Sequence, residues 1–229
     1  DLRYRKPEPV VTRADTFEVR ERIAPNADVV TALNLDHART TLRDALAAGD
    51  YGGVGICLLN SYANATHERQ LESLIGELAP SLPVSCSVDI MPVFREYERC
   101  STTALAAYVQ PVIAAYLSRF EASLSKRGFA GQFSVMQSNG GRLPSRAMSR
   151  NAITSLFSGP AAGVVGAARQ AARAGFSDVI TFDMGGTSTD VCLVEAGTAQ
   201  LVSETEVDGL PVKTPVLDIA TVGAGGGSI

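Results

Sequence analysis

The stretch from Ile180 to Val194, ITFDMGGTSTDVCLV, decides how this chain is read. The apolar run Val179-Ile180-Thr181-Phe182 ends on Asp183. Gly185 and Gly186 follow, then three hydroxyls at Thr187, Ser188 and Thr189. Asp190 opens a second apolar run, Val191-Cys192-Leu193-Val194. Both runs are short and rich in β-branched residues, so both are expected to be strands, and the whole a hairpin over Val179–Val194. A turn of glycines and hydroxyls offers backbone N–H groups and Ser/Thr donors to an anion. Asp183 at the strand tip cannot attract phosphate by itself. It makes sense there if a divalent cation, Mg²⁺ with its waters, lies between carboxylate and phosphate. The rival reading is an ordinary tight turn. No Lys follows the glycines, so this is not a P-loop, and the glycines do not open a helix as in a dinucleotide fingerprint.

Working outward, Ser158-Gly159-Pro160-Ala161-Ala162-Gly163 precedes an Ala-rich stretch that reads as a helix to about Ala174, stopped by Gly175. Pro160 falls in the first turn, where proline is tolerated. Gly159 and Gly163 allow close helix packing, and with Ser158 they suggest a hinge. Helix, link, strand and D-x-G-G-T hairpin resemble the entry into the second lobe of actin-like ATPases. Further upstream, Phe17, Val19 and Ile23 fit a half-exposed strand. Asn34 or Asp36 caps a helix to Ala48. Val54–Leu59 and Val84–Val88 read as strands around a helix that Asn64 caps, with Leu71, Leu74, Ile75 and Leu78 inward. This spacing predicts a parallel α/β sheet over about Phe17–Gln137. The longest helix is expected from Ser101 or Thr102 to about Lys126. Its apolar stripe would include Leu105, Tyr108, Val112, Tyr116 and Leu117, and Pro111 would kink it. Phe133–Gln137 reads as a further strand with the turn Ser138-Asn139-Gly140-Gly141 at its C-terminal end, where open α/β sheets collect ligands. Asn139, Gly140 and Gly141 are therefore ligand candidates or an ordinary turn. Residues Ala199–Ile219 suggest antiparallel strands.

The 229 residues carry ample apolar content for a core, and 24 acidic residues against 20 basic give no electrostatic case for nucleic acid or an anionic membrane. No unbroken apolar run is long enough for a membrane span. Cys57, Cys86, Cys100 and Cys192 lack metal-ligand spacing and mostly sit in or beside apolar runs, which suggests buried thiols in a reducing, cytoplasmic setting. With His37 and His67 the only histidines, no Ser-His-Asp or Cys-His constellation is available.

A closer resemblance spans nearly the whole chain. The segments RYRKPEP (Arg3–Pro9), SYANATHE (Ser61–Glu68), REYERCSTT (Arg95–Thr103), VMQSNGG (Val135–Gly141), SGPAAGVVGA (Ser158–Ala167), TFDMGGTSTDV (Thr181–Val191) and TVGAGGGSI (Thr221–Ile229) carry it. The chain resembles the hydantoinase A/5-oxoprolinase family, which includes ATP-dependent N-methylhydantoinase and oxoprolinase subunits and the β subunits of acetone-type carboxylases. The resemblance implies an actin-like ATPase (ribonuclease H-like) α/β fold, truncated: most of the first lobe in residues 1–176 and the start of the second in 177–229. A first phosphate segment would precede Asp1, much of the second lobe would follow Ile229, and the 229 residues alone would not turn over ATP. It also implies roles. Asp183 would hold the water shell of Mg²⁺ or orient the attacking water. Gly185, Gly186, Thr187, Ser188 and Thr189 would bind the phosphates of ATP. Asp190 would assist the metal or only brace the hairpin. Gly225 and Gly226 lie in a ligand loop by family position, although here the loop is expected to be disordered. Arg95, in a charge run before a helix, is a candidate for substrate or subunit contact. The implied activity is ATP-dependent opening of a cyclic amide: phosphorylation of the amide oxygen makes the ring carbonyl carbon electrophilic, and water then attacks it. Candidate partners are the cyclic amide, a hydantoinase B-type subunit and a second copy of the chain. The rivals are an acetone-type carboxylase β subunit and a nucleotide-gated chaperone or regulator.

Overall fold

The computed structural model describes residues 7–228. They divide into two compact units that interleave along the chain. Among the described residues the first comprises 7–119, 149–153 and 206–213, the second 120–148, 154–205 and 214–228.

In the first unit β1 (Arg22–Ile23) pairs antiparallel with β2 (Val29–Thr31). The strand expected from Phe17 shrinks to these two residues because the ladder has no partner earlier; Phe17 instead meets the ring of Tyr51 edge-on at 6.3 Å. Helix α1 (Leu35–Ala48) starts where Asn34 Oδ1 accepts from the His37 N–H at 3.0 Å, the expected cap. Strand β3 (Val54–Ile56), helix α2 (Thr66–Leu78) and strand β4 (Val84–Cys86) then form the expected parallel unit, with Val54 opposite Val84 and Ile56 opposite Cys86. Asn64 Oδ1 accepts from the Thr66 N–H at the start of α2. Leu71, Leu74 and Ile75 of α2 are buried with Leu33, Ala38, Ile56 and Cys86 as one core. Each such aliphatic side chain contributes about 1.5–3 kcal/mol on burial.

After α3 (Ser87–Ile90), α4 (Glu96–Lys126) is 31 residues long. It starts ahead of Ser101, with Glu96 and Glu98 in a first turn that favours acidic groups. It runs continuously through Pro111. Proline leaves the carbonyl four residues earlier without its helical donor, and Gly53 packs there: a Cβ at Gly53 would lie 2.9 Å from Ala107 O. The expected apolar stripe is not the buried one. Tyr108, Val112 and Tyr116 are exposed, whereas Leu105, Ala106, Ala107, Thr102 and Thr103 are buried. Small residues win that face because β3 approaches closely, with Gly55 against Thr103 and Ala107. By length and composition α4 could also cross a bilayer, but its Leu105–Ala106 face packs with Ile153 and Val212 in a core of this unit.

The second unit opens with β5 (Ser134–Met136), paired antiparallel with β6 (Arg142–Pro144). Among the described residues the five strands before Gln137 thus fall into three separate two-stranded pairs, the third completed by β6, and not into one sheet. The turn at Asn139 therefore closes a hairpin and does not end a parallel strand. A short helix α5 (Ser145–Met148) precedes α6 (Ser158–Arg173), which ends at Gly175 with φ +87°, as the sequence expected. Strands β7 (Val179–Met184) and β8 (Thr189–Glu195) form the expected hairpin, in register from Val179 opposite Val194 to Met184 opposite Thr189. Strand β9 (Thr198–Ala199) adds to β8. Beyond it lie β10 (Leu201–Val202), the pair β11 (Thr205–Val207) and β12 (Leu210–Val212), which from Glu206 on belongs to the first unit, and then β13 (Val216–Leu217) and β14 (Ala220–Val222). Strand β13 pairs antiparallel with β10, and β14 pairs antiparallel with β8. Ala161 and Val164 of α6 pack on Cys192, Val194 and Leu217 to form the core of this unit.

Candidate functional site

Register builds the site. Side chains alternate across a strand, so Thr181 and Asp183 share the face of β7 that looks toward α6, while Ile180, Phe182 and Met184 face outward and are exposed. Asp183 is the direct partner of Asp190 across the hairpin. Like charges placed directly opposite destabilise a ladder unless something intervenes. Asp190 has one protein partner, since Thr221 Oγ1 donates to its Oδ1 at 2.6 Å from β14. Among the described residues the Asp183 carboxylate has no hydrogen-bond or ion-pair partner, and the residue is exposed.

Both carboxylates line a cavity of about 220 Å³, with Pro160, Gly163, Val164 and Ala167 of α6 as the opposite wall. Asp183 Oδ2 lies 3.6 Å from where a Cβ on Gly163 would be. Ser158 and Gly159 start α6 beside this wall, but Pro160 and Gly163 face the acids. The volume suits a hydrated cation with part of a phosphate. It is below the roughly 300–1,000 Å³ of sites that enclose a whole drug-sized ligand.

The turn above the acids is held by a second glycine segment. Gly185 N–H donates to Ser188 O at 2.9 Å, closing the turn. Gly226 N–H donates to Gly185 O and Gly227 N–H to Gly186 O, both at 2.9 Å. Gly225 sits so close that a Cβ there would fall 2.6 Å from Gly185 O and 2.7 Å from Gly186 C. The loop expected to be disordered is instead fastened to the hairpin, and backbone-to-backbone contact is why its residues are glycines. Thr189 is buried, and its Oγ1 donates to Ala224 O at 2.6 Å. That hydroxyl is a tie between the two segments and is not available as a phosphate donor. The Gly186 and Thr187 N–H groups have no protein acceptor among the described residues, and both residues are exposed.

The other candidates separate from this cluster. Asn139 Oδ1 accepts from the Gly141 N–H at 2.8 Å, and Gly140 has φ +80°, so this segment is a closed turn. Its neighbour Ser138, which the sequence reading passed over, is the fastening point. Its N–H and Oγ both donate to Thr154 O, its Oγ accepts from Phe157 N–H, and its carbonyl accepts from Leu217 N–H. Arg95 belongs to the first unit, is exposed with φ +79°, and lies 3.4 Å from Glu98 Oε1.

The buried charge of that unit is Arg99, fully enclosed with Glu68. Arg99 Nη2 donates to Leu58 O at 2.7 Å, and Nη1 donates to Ser61 Oγ and Ser87 Oγ. Glu68 accepts from Leu58 N–H, Ser87 Oγ and Val88 N–H at 2.9, 2.6 and 3.1 Å. Beside it, His67 Nδ1 and Glu21 Oε2 pair at 2.7 Å, both enclosed. The signal was available: Glu68 precedes Leu71 by three residues, which puts it on the inward face of α2. Glu72, Cys86 and Asp89 also converge, but Arg69 occupies both oxygens of Asp89 at 2.6 and 2.5 Å and reaches Glu72 at 3.0 Å.

With a carboxylate pair, a glycine turn and a glycine loop brought together, comparison with known proteins becomes informative. Residues 99–229 match the hydantoinase/oxoprolinase family model, and residues 2–79 match the model of the hydantoinase/oxoprolinase N-terminal region. The chain belongs to the hydantoinase/oxoprolinase family. It is 33% identical to the acetone carboxylase β subunit of Xanthobacter autotrophicus over 98% of this chain and 32% of that protein. It is 36% identical to a 5-oxoprolinase of Saccharomyces cerevisiae over 83% of this chain and 14% of that one. The crystal structure of an ATP-dependent caprolactamase from Pseudomonas jessenii superposes with a TM-score of 0.82 at 29% identity, covering 91% of this chain and 30% of the other. The fold of this family member is thus the α/β actin-like ATPase type that the sequence led us to expect. The chain spans about a third or less of the length of these relatives.

Proposed function

We propose that this segment is the phosphate-handling part of an ATP-dependent cyclic-amide hydrolase of the hydantoinase/5-oxoprolinase type. The observation that carries the reading is Asp183 facing Asp190 across the hairpin, with no protein cation beside them and two unpaired N–H groups above. The donor set, two carboxylates with room for water, fits Mg²⁺, whose preference is for hard oxygen ligands and retained waters. When bound, such an ion neutralises phosphate charge and orients the transferred group. The chain's own residues do the rest. Gly186 and Thr187 N–H groups and the Thr187 and Ser188 hydroxyls donate to phosphate oxygens. Thr221 fixes the Asp190 carboxylate. The Gly225–Gly227 segment keeps the turn from collapsing when no anion fills it. Asp183 orients water in the shell of the site. ATP supplies the phosphoryl group that makes the lactam carbonyl carbon electrophilic, and water opens the ring. Such catalysis consists mainly of positioning and charge stabilisation.

The match to a carboxylase β subunit over 98% of the chain supports a second reading, in which the same phosphoryl chemistry serves a ketone-derived enolate. That relative is itself a subunit, which supports a B-type partner chain here. ADP release from the longer polypeptide carrying this segment, measured with 5-oxoproline, a hydantoin, caprolactam, and acetone plus bicarbonate, separates the readings. Stimulation by a cyclic amide is expected. Stimulation by acetone plus bicarbonate alone would replace the hydrolase reading by the carboxylase one. Stimulation only by unfolded protein would overturn both.

A further inference from the structure

Ser138 does not line the cavity of Asp183 and Asp190, yet it fastens the elements that shape it. One wall of the cavity is α6, through Pro160 and Gly163. That helix is capped at Phe157, whose side chain makes no capping bond, and the first N–H groups of a helix have no acceptor within it. The Phe157 N–H finds one elsewhere in the unit, in Ser138 Oγ at 3.0 Å. A capping box satisfies the same N–H from three residues along the helix; here the oxygen comes from a separate element. The hydroxyl in turn donates to Thr154 O at 2.8 Å, and the Ser138 N–H donates to that carbonyl at 2.7 Å. On its other side, Ser138 O accepts from Leu217 N–H at 2.9 Å, at the end of β13. Strand β14 follows, and its Thr221 donates to Asp190 Oδ1. Gly140, in the same turn as Ser138, lies against both elements: a Cβ there would fall 2.9 Å from Val165 Cγ2 of α6 and 3.6 Å from Leu217 Cδ1. Given the Mg²⁺–phosphate reading of the hairpin, on which this rests, we propose that Ser138 is a positioning residue of that site: it fixes where α6 stands along the acid pair, and so sets the affinity for Mg²⁺.

The packing of α6 on the sheet does not fix that position. Ala161 and Val164 meet Cys192, Val194 and Leu217 through apolar contact, and such contact is non-directional. It holds the helix against the strands but resists sliding along its axis weakly. A hydrogen bond to the first turn supplies the missing direction. The clearance at the acids is small: Asp183 Oδ2 lies 3.6 Å from where a Cβ on Gly163 would stand. Mg²⁺ demands near-ideal octahedral geometry and keeps several of its waters, so a small slide of α6 changes the room for that shell. The Ser138 side chain suits the task because one oxygen on a one-carbon stem both donates to Thr154 O and accepts from Phe157 N–H. Alanine would leave the Phe157 N–H without this acceptor, in a place where Ser138 itself is 1% exposed and water has little access. Linkage makes the coupling reciprocal: bonds that favour cation binding must be strengthened by the cation by the same factor.

The test compares Ser138→Ala with Ser138→Thr, which keeps the oxygen, in the longer polypeptide carrying this segment. Ser138→Ala should raise the Mg²⁺ concentration for half-maximal ATP turnover by about tenfold or more, the usual cost of removing a group that orients a metal site. The KM for the substrate that stimulates turnover should stay unchanged. Ser138→Thr should lie near the unsubstituted value. An unchanged Mg²⁺ half-saturation in Ser138→Ala, whatever its stability, would reduce Ser138 to a structural residue and overturn the proposal, and so would a Ser138→Thr as weak as Ser138→Ala. The unsubstituted 229-residue chain gives a second measurement that does not depend on any variant folding. Amide hydrogen exchange at Phe157 and Leu217, both bonded to Ser138, should slow by about fivefold or more when Mg²⁺ is added. If the amide resonances of Asp183 and Asp190 do not move with Mg²⁺, the reading of the hairpin fails and the role of Ser138 falls with it. If they move while Phe157 and Leu217 exchange at an unchanged rate, the role of Ser138 alone is overturned.

Discussion

Two places in this chain gather charge and hydroxyl groups at strand ends, and they treat the charge in opposite ways. Where β3 and β4 end, Glu68 and Arg99 are fully enclosed, and two backbone N–H groups, a carbonyl and two serines surround them. Of that group only Arg99 Nε lacks a partner among the described residues. Where β7 meets β8, Asp183 and Asp190 face each other in the open, and only Asp190 has a protein donor. The first set is nearly closed upon itself and leaves little for a ligand to do. The second leaves negative charge uncompensated beside unpaired N–H groups, an arrangement that a cation and a phosphate complete. Conspicuous charge alone therefore does not mark a site; charge that the protein itself leaves without partners does.

The contrast can be broken by substitution. The largest effect is expected at the enclosed pair. Glu68→Ala strands Arg99 in the interior and should lower stability by about 3–5 kcal/mol, read from urea denaturation. Removing both charges together, as Glu68→Leu with Arg99→Met, should be less damaging than either single change. Additive losses would show that the two groups do not act as a unit. Asp183→Asn should do the reverse. Stability should change by no more than about 0.5 kcal/mol, while ATP turnover of the longer polypeptide falls by roughly 10²-fold or more. Unchanged turnover would make Asp183 a surface residue.

Gly225→Ala tests the lock between the glycine segments. With a Cβ 2.6 Å from Gly185 O, backbone must move, and a loss of about 1–3 kcal/mol is expected, with shifted amide resonances at Gly185–Thr187. Thr221→Val removes the donor to Asp190 and should cost about 1 kcal/mol. Added Mg²⁺ should restore part of that loss in thermal melts. The smallest effect concerns Asp178, whose carboxylate accepts from Ala196 N–H at 2.8 Å and Ser177 Oγ at 3.0 Å. These bonds hold it below the usual carboxylate range. A lowered folded value means its contribution is present above the unfolded value near about 3.9 and is lost as pH falls through the folded one. Asp178→Asn should flatten the acid limb of the stability profile slightly, and a steeper limb would contradict the sign.

The hairpin was legible because β-branched runs, a glycine pair and a carboxylate at the strand tip are local signals. The β3–α2–β4 unit was legible for the same reason, since its period changes within a short window. The rest depends on partners remote in sequence. Thr189 looked like a phosphate donor until Ala224, far along the chain, took its hydroxyl. Gly225 looked mobile because glycine signals freedom, and nothing local shows that another backbone lies against it. Tyr108, Val112 and Tyr116 looked like core because they are large. The face that β3 can approach is the one built from Thr103 and Ala107, and size excludes the tyrosines from it. Arg95 drew attention as the exposed start of a charge run, while Arg99 at its end carries the buried network.

The most direct test of the central claim is an amide-resolved NMR titration of the 229-residue chain with Mn²⁺ as a paramagnetic stand-in for Mg²⁺, with and without ATP. We expect line broadening centred on Asp183, Gly185–Thr187, Asp190 and Gly163, strengthened by ATP and abolished by Asp183→Asn. Broadening centred on Glu72 and Asp89, or broadening at the hairpin that survives Asp183→Asn unchanged, would contradict the account.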